Sequence, residues 1–202
     1  QEGFPQYWLK TLFIGTVSSA FQVNALASTY VRLVEAALVE YRIGHVKLKE
    51  FWGTHTSLNL GAMHRSVSHF ESCLSDMYRA VNCFTRLRRH KELGDLRQVL
   101  NEDRPRFIAD EISNQLRSIR NEIHHLEKLV MDGRLTEGSP FALKPDGPET
   151  AHPTEANQTV KTIDRLVIGQ RELLFSDMAT WLKEMGRFAD KLATYGPTKI
   201  GA

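Results

Sequence analysis

The sequence predicts a mainly α-helical chain that folds as a four-helix-type bundle. Several long stretches place apolar residues three and four positions apart, which is the spacing of one buried helix face. Long helices with a single apolar face are typical of antiparallel bundles. Hydrophobic residues make up 42% of the 202 residues and charged residues 25%, so one domain can bury a substantial core.

The first two long helices are expected at about 24–51 and 58–90. The apolar face of the first consists of Leu26, Tyr30, Val34, Ala37, Leu38 and Tyr41. The apolar face of the second consists of Met63, Val67, Phe70, Leu74, Met77, Val81, Phe84 and Leu87. A shorter helix is expected around 6–17, where an apolar run also resembles a signal-peptide core. We interpret it as a buried helix or its lead-in, because the apolar pattern continues beyond it.

A third helix is expected at about 107–131, after a break formed by Gly94 and the region of Pro105. Its apolar face consists of Ile108, Ile112, Leu116, Ile119 and Ile123. Gly133 is expected to end it, since glycine readily takes the backbone conformation that terminates helices.

An irregular insertion is expected at about 133–175, within one domain that spans residues 1–202. Its first part, 133–159, contains four prolines and is predicted to be non-helical. Residues 162–168 and 172–175 flank Gly169-Gln170 and are predicted to form a small β-hairpin. The fourth helix follows at about 177–194, with Ser176 as its N-cap. Its apolar face consists of Met178, Trp181, Leu182, Met185, Phe188 and Leu192.

Bulk properties narrow the functional classes. The formal net charge is +2, which is too near neutral to indicate a nucleic-acid binder, so any anion site must be local. Cys73 and Cys83 lie ten residues apart on one predicted helix, about 15 Å, too far for a disulfide. No apolar run reaches the ~20 residues of a membrane span. A cytoplasmic protein without a membrane partner is expected.

The third helix carries an Arg-Asn-x-x-x-His motif, formed by Arg120, Asn121 and His125. This motif, in a late helix after a long amphipathic one, resembles the HEPN domain family, over about 24–131 and the last helix. The resemblance implies a HEPN-like helical bundle and a metal-independent endoribonuclease without cofactor. It implies products with a 2′,3′-cyclic phosphate and a 5′-hydroxyl, and Arg120, Asn121 and His125 as the catalytic residues.

The residue types suit this chemistry. Histidine can transfer protons near neutral pH, and arginine offers a planar, permanently charged fork to phosphate oxygens. Asn121 shares a helix face with His125, whereas Arg120 lies about 140° around the helix from it. One motif therefore does not close a site by itself. In the HEPN family two motifs meet across a dimer interface, so the resemblance implies a homodimer.

Four further residues are candidates for binding the RNA substrate. Arg117 lies near Arg120 on the helix surface, and His124 precedes the motif histidine. Arg89 and Arg106 belong to a locally basic stretch before the motif helix, which can form the rim of an RNA groove. The alternative for this stretch is a solvated helix end, where cations favour the carbonyl pole.

No metal site is expected. Glu122 and His125 form the Glu-x-x-His half of a di-iron motif, but its only other instance, Glu149 with His152, lies in the proline-rich stretch. The alternative to catalysis is a non-catalytic module that binds RNA, nucleotides or a partner protein, with the motif on a solvated polar face.

A toxin or antiphage defence effector with a cognate antitoxin or regulatory partner is compatible with the family resemblance. Some HEPN toxins carry a tyrosine two residues after the motif histidine, which a partner nucleotidyltransferase modifies. Glu127 occupies that position here, so the resemblance does not imply inhibition by this route.

Overall fold

A computed structural model describes residues 5, 7–9, 18–52, 59–102, 104–133, 143–155, 157–168 and 171–195. The described chain is mainly helical and carries a small antiparallel sheet beside a separate two-stranded one. The helices are α1 Phe21–Trp52, α2 Leu60–Arg89, α3 Leu96–Asn101, α4 Asp110–His124, α5 Leu126–Met131 and α6 Phe175–Thr194. Among the described residues, no helix combines the length and the apolar character that crossing a membrane requires.

The two long helices α1 and α2 pair as an antiparallel hairpin, and both confirm the predicted periodicity. At one end the Ser66 hydroxyl donates to the Gly44 carbonyl oxygen at 2.8 Å. At the other end the Cys83 thiol donates to the Leu26 carbonyl oxygen at 3.1 Å. Gly44 lies against the Phe70 ring, so the absence of a side chain there lets the two helices approach closely.

An aromatic cluster joins the other elements to this hairpin. The Phe84 ring of α2 lies 5.0 Å from Tyr30, 5.2 Å from Phe107 and 4.9 Å from Phe188, measured between ring centroids. The Tyr30 hydroxyl donates to the Met185 carbonyl oxygen at 2.9 Å, which satisfies its polar atom inside the core. One end of the bundle is therefore fixed by rings from α1, α2, α6 and the segment that leads into α4.

The prediction of one continuous third helix over 107–131 is wrong, because the segment has three parts. A 3₁₀ turn at Arg106–Ile108 comes first, and the backbone of Ala109 is extended before α4 begins. The Glu184 carboxylate accepts the N–H of Arg106 at 2.9 Å and that of Phe107 at 3.3 Å, which holds the turn against α6. His125 then separates α4 from α5. Gly133 follows α5 with φ 64°, as expected of a terminating glycine.

A short helix that was not predicted, α3, fills the break between the second and third predicted helices. Gly94 precedes it with φ 57°, a left-handed backbone conformation that favours glycine. Leu96 and Leu100, four residues apart, are both buried and hold α3 against the core.

The predicted β-hairpin is confirmed, and its strands are β4 Arg165–Ile168 and β5 Arg171–Leu174. The expectation of an irregular stretch before it is wrong in part. Lys144–Asp146 forms β1, which pairs antiparallel with β4, and β2 Glu149–Ala151 pairs with β3 Thr159–Lys161. The sheet faces the core through buried apolar side chains that the local composition of the stretch does not indicate, namely Leu143, Leu166, Ile168 and Leu173.

The last helix, α6, is confirmed in its apolar face but begins earlier than predicted. Its first residue is Phe175, and its N-cap is Leu174 rather than Ser176. Phe175 was expected to end the hairpin. Its ring packs instead against His45 and Phe70, and its N–H donates to the Asp164 carbonyl oxygen at 3.0 Å. Tertiary packing therefore sets the start of this helix. The short helix expected around 6–17 lies mostly outside the described residues, of which 7–9 are helical.

We expect Gly44→Val to lower the free energy of unfolding by about 1–3 kcal/mol, as overpacking of a core does. A Cβ atom at this position would lie 3.0 Å from the fully buried Phe70 ring. Gly61→Ala is the control, because its new Cβ would lie no nearer than 3.5 Å to other atoms at the exposed start of α2. That change should raise stability by about 0.4–1 kcal/mol. Urea unfolding measures both, and a Gly44→Val variant as stable as the parent would contradict the close packing.

Candidate functional site

The motif helix α4 presents two polar sides around its buried face. Leu116 and Ile119 are fully buried and fix the rotation of the helix. With about 100° between successive residues, positions 117, 120 and 124 lie along one side and positions 118, 122 and 125 along the other. The first side faces α2, and the second faces β5.

A groove of about 690 Å³ lies between α2 and α4. Its walls carry the charged or titratable side chains Glu71, Asp76, Tyr78, Arg79, Arg120 and His124. Three hydroxyl groups line it as well, on Ser68, Ser72 and Ser75. Cations and carboxylates therefore face the same groove.

Tyr78 is the centre of the cationic part of this groove. The Arg120 guanidinium lies over its ring, with 6.0 Å between Cζ and the ring centroid, within the range of a cation–π interaction. The pKa of the Tyr78 phenol is lowered, chiefly by a hydrogen bond with Asn82 and also by one with Arg117. Burial of the phenol acts in the opposite direction. The charges of Arg117 and Arg120 lower it as well. Tyr78 thus gathers two guanidinium groups on one side of α4.

The acidic part of the groove lies earlier in α2, at Glu71 and Asp76. Burial raises the pKa of both Glu71 and Asp76, although the charge of Arg79 opposes this for Asp76. The Arg79 guanidinium also donates to the Asp76 carboxylate at 3.3 Å. An anionic ligand is therefore favoured beside Arg117 and Arg120 and disfavoured beside these carboxylates.

The three predicted catalytic residues do not share one surface. Arg120 is half-buried in the groove, and its Nη1 donates to the Asn121 side-chain oxygen at 3.3 Å. Asn121 and His125 are exposed, and His125 caps the end of α4 outside the groove walls. The side chain that shares the groove with Arg120 is His124. Within one chain, the structure therefore brings Arg120 together with Arg117 and His124, but not with His125.

A cation from the insertion contacts the other side of α4. The Nη1 atom of Arg171, the first residue of β5, donates to the Ser118 hydroxyl and to the Glu122 carboxylate, the latter at 3.1 Å. The sequence of the predicted β-hairpin does not indicate this contact, because the contact joins residues about fifty positions apart. Tyr78 was missed for a different reason, since it borders the apolar face of a helix and resembles a core residue.

The predicted substrate-binding residues Arg89 and Arg106 lie elsewhere. Arg89 ends α2 and Arg106 begins the 3₁₀ turn, and both are exposed. Arg89 is eleven residues from Tyr78 along α2, about 16 Å, so the structure does not bring it to Arg120. Burial, followed by the charge of Arg104, lowers the pKa of Arg88, so this end of the helix pair is a second basic area.

The described residues contain no group of three or more His, Cys, Asp or Glu side chains that could hold a metal ion. Glu122 is paired with Arg171, and the ring of His152 accepts the backbone N–H groups of Thr154 and Glu155. Cys73 and Cys83 are buried free thiols, and burial raises the pKa of both, that of Cys83 to about 11. Their thiolate forms are therefore disfavoured at neutral pH.

Comparison of the chain with protein-family models, curated proteins and solved structures finds no match.

We expect Tyr78 to ionise at a lower pH than free tyrosine, whose pKa is about 10. A lowered pKa in the folded state adds stability as the pH rises through it, and that contribution is lost as the pH falls through it. The absorbance difference between the parent and Tyr78→Phe during alkaline titration isolates this phenol. Arg117→Gln should move the titration to higher pH, and an unchanged curve in that variant would exclude the contact with Arg117.

Proposed function

We propose that the protein is a metal-independent endoribonuclease that acts as a homodimer and leaves a 2′,3′-cyclic phosphate and a 5′-hydroxyl. The observation that carries the proposal is the Arg120 guanidinium over the Tyr78 ring, with Arg117 acting on the same phenol, on the helix whose end carries Asn121 and His125. A toxin or defence effector held inactive by a cognate partner would use such an activity.

The proposed reaction is an in-line transfer within the RNA backbone. The His125 imidazole takes the proton of the ribose 2′-hydroxyl, whose oxygen forms a bond to phosphorus. The bond from phosphorus to the 5′-oxygen breaks, and the leaving oxygen takes a proton from water. The Arg120 fork stabilises the charge that develops on the phosphoryl oxygens. Asn121, hydrogen-bonded to Arg120, orients that fork.

Two observations support a dimer. Arg120 faces the groove while His125 lies about 140° around the helix, so one chain leaves the pair apart. Directly after the motif, α5 exposes apolar side chains, with Val130 54% and Met131 85% accessible. A two-fold axis near this end of α4 would bury them and bring His125 of each chain to Arg120 of the other.

The alternative is a module that binds RNA or nucleotides without cleaving them. It is favoured by one feature, since the cluster of Tyr78, Arg117 and Arg120 can hold a phosphate and stack a base without any contribution from His125. The two functions differ in whether binding and cleavage depend on the same residues.

We expect the protein to cleave labelled RNA in excess EDTA. His125→Ala should lower the rate by about 10²–10⁴-fold, the usual contribution of a general base, and Arg120→Ala should also abolish cleavage. Asn121→Ala should lower the rate less, because it orients a group and transfers no charge. His124→Ala is the matched control at equal thermal stability, and it should raise KM while kcat is kept.

The outcomes of this assay are distinct. If His124→Ala abolishes cleavage and His125→Ala does not, the groove of one chain holds the whole site. If neither histidine matters, the ribonuclease proposal fails. Activity that the chelator abolishes and one divalent ion restores would replace the proposed mechanism by a metal-dependent one.

We expect light scattering to show a dimer at micromolar concentration and Met131→Glu to produce a monomer with little activity. Mixing the inactive Arg120→Ala and His125→Ala chains should restore roughly a quarter of the parent activity, since half of randomly formed dimers are mixed and each contains one complete site. A monomeric parent, or a mixture that stays inactive, would contradict a site shared between two chains.

A further inference from the structure

The contact of Arg171 with the motif helix places a cation of the insertion beside Asn121 and His125. Arg171 lies opposite Ile168 at the turn end of the β4–β5 hairpin. Its bonds to Ser118 and Glu122 span one turn of α4. Asn121 follows Ser118 by three residues and His125 follows Glu122 by three, so each is a direct neighbour on the helix surface.

The guanidinium of Arg171 therefore lies on the side of α4 that carries His125, whereas Arg120 lies on the opposite side. Positions 118 and 120 are about 160° apart around the helix. Arg171 thus contacts the side of α4 that carries the motif histidine, although sequence spacing alone favours Arg120.

Arg171 also keeps hydrogen-bond donors available. A guanidinium has five N–H groups, and both contacts with α4 use the Nη1 atom alone. Its Nε and Nη2 atoms make no hydrogen bond to the residues that the structure describes, and the side chain is 47% exposed. Arg165 of the same hairpin differs, since its Nε, Nη1 and Nη2 all bond to Asp164 or Glu172.

The ion-pair partner of Arg171 is the Glu122 carboxylate, whose negative charge disfavours the binding of a polyanion such as RNA nearby. Glu122 is partly exposed between Asn121 and His125, and its charge would repel an RNA phosphate approaching either side chain. The ion pair with Arg171 offsets this charge in the free protein. A phosphate that reaches the site can then take the open side of the same fork.

We propose that Arg171 binds a phosphate of the RNA backbone on the His125 side of α4, with Glu122 as its counter-ion in the free protein. This inference rests on the proposed function. It makes the sheet part of the RNA-binding surface, so that the insertion supplies a cation where the motif helix has none on that side.

The test separates binding from cleavage. Binding is measured by fluorescence anisotropy at several salt concentrations with a labelled 2′-O-methyl RNA 12-mer, which lacks the hydroxyl that cleavage requires. Arg171→Ala should weaken binding several-fold and reduce the slope of log affinity against log salt by about 0.7, the loss of one single-strand phosphate contact. In cleavage assays with unmodified RNA it should raise KM and leave kcat nearly unchanged.

Lys144→Ala is the matched control, because it removes the same charge from the same sheet at a side chain that is 68% exposed. It should leave the salt slope and KM unchanged. An equal effect of both variants would overturn the inference, since it would reflect net charge rather than a phosphate contact.

Glu122→Gln distinguishes a phosphate contact from a merely structural link between sheet and helix. The glutamine keeps an acceptor for Arg171 but removes the competing charge, so RNA binding should tighten. The loss of binding and the lower salt slope caused by Arg171→Ala should persist in the Glu122→Gln background, because a phosphate contact of Arg171 does not require the Glu122 charge. An Arg171→Ala change that has no effect in that background would overturn the inference, since Arg171 would then act only by offsetting Glu122. The inference would also be overturned if Arg171→Ala and Glu122→Gln both had lower thermal stability but kept the salt slope of the parent.

The failure of this inference is separable from the failure of the proposed function. RNA that binds with the expected dependence on Arg171 but is not cleaved would refute the endoribonuclease and keep the phosphate contact. Cleavage with a KM and a salt slope that do not depend on Arg171 would refute the phosphate contact and keep the endoribonuclease. A parent protein that does not bind the 12-mer would overturn both.

Discussion

The position of the motif helix depends on the packing of Phe84 against Tyr30, Phe107 and Phe188. Phe107 lies in the turn that leads into α4, and Glu184 of α6 holds the same turn through two backbone N–H groups. With that end anchored, the burial of Leu116 and Ile119 determines which residues of α4 face α2. Apolar packing at the start of α4 therefore helps to position the polar site near the other end of the same helix.

The rotation of α4 has a direct consequence for the site, because it divides the Arg-Asn-x-x-x-His motif between two neighbours. Arg120 faces Tyr78 of α2, while the opposite side is held by Arg171 of β5. A motif that is contiguous in sequence therefore contributes to two surfaces. Any reaction that needs an arginine beside His125 therefore requires either Arg120 of a second chain or another cation on the histidine side.

The sequence predicted the elements that local spacing determines and missed those that distant contacts determine. The long helices follow from apolar residues three and four apart, and the hairpin follows from its turn residues. The break at His125 and the start of α6 at Phe175 have no comparable local pattern, since packing and tertiary hydrogen bonds set them. The same limit applies to the site. Arg120 was found from its motif, whereas Tyr78 and Arg171 are identified only by what they contact.

Charge explains why a site of this kind leaves little trace in composition. The cations around α4 lie close to carboxylates, with Glu122 on one side and Glu71 and Asp76 in the groove. In the groove, Arg120 lies over Tyr78, whereas Glu71 and Asp76 lie earlier in α2. Opposite charges therefore offset one another in a count of residues although they occupy different positions in the groove. A net charge of +2 for the whole chain is compatible with a strongly anion-binding surface, because the balance is decided over a few ångströms rather than over the molecule.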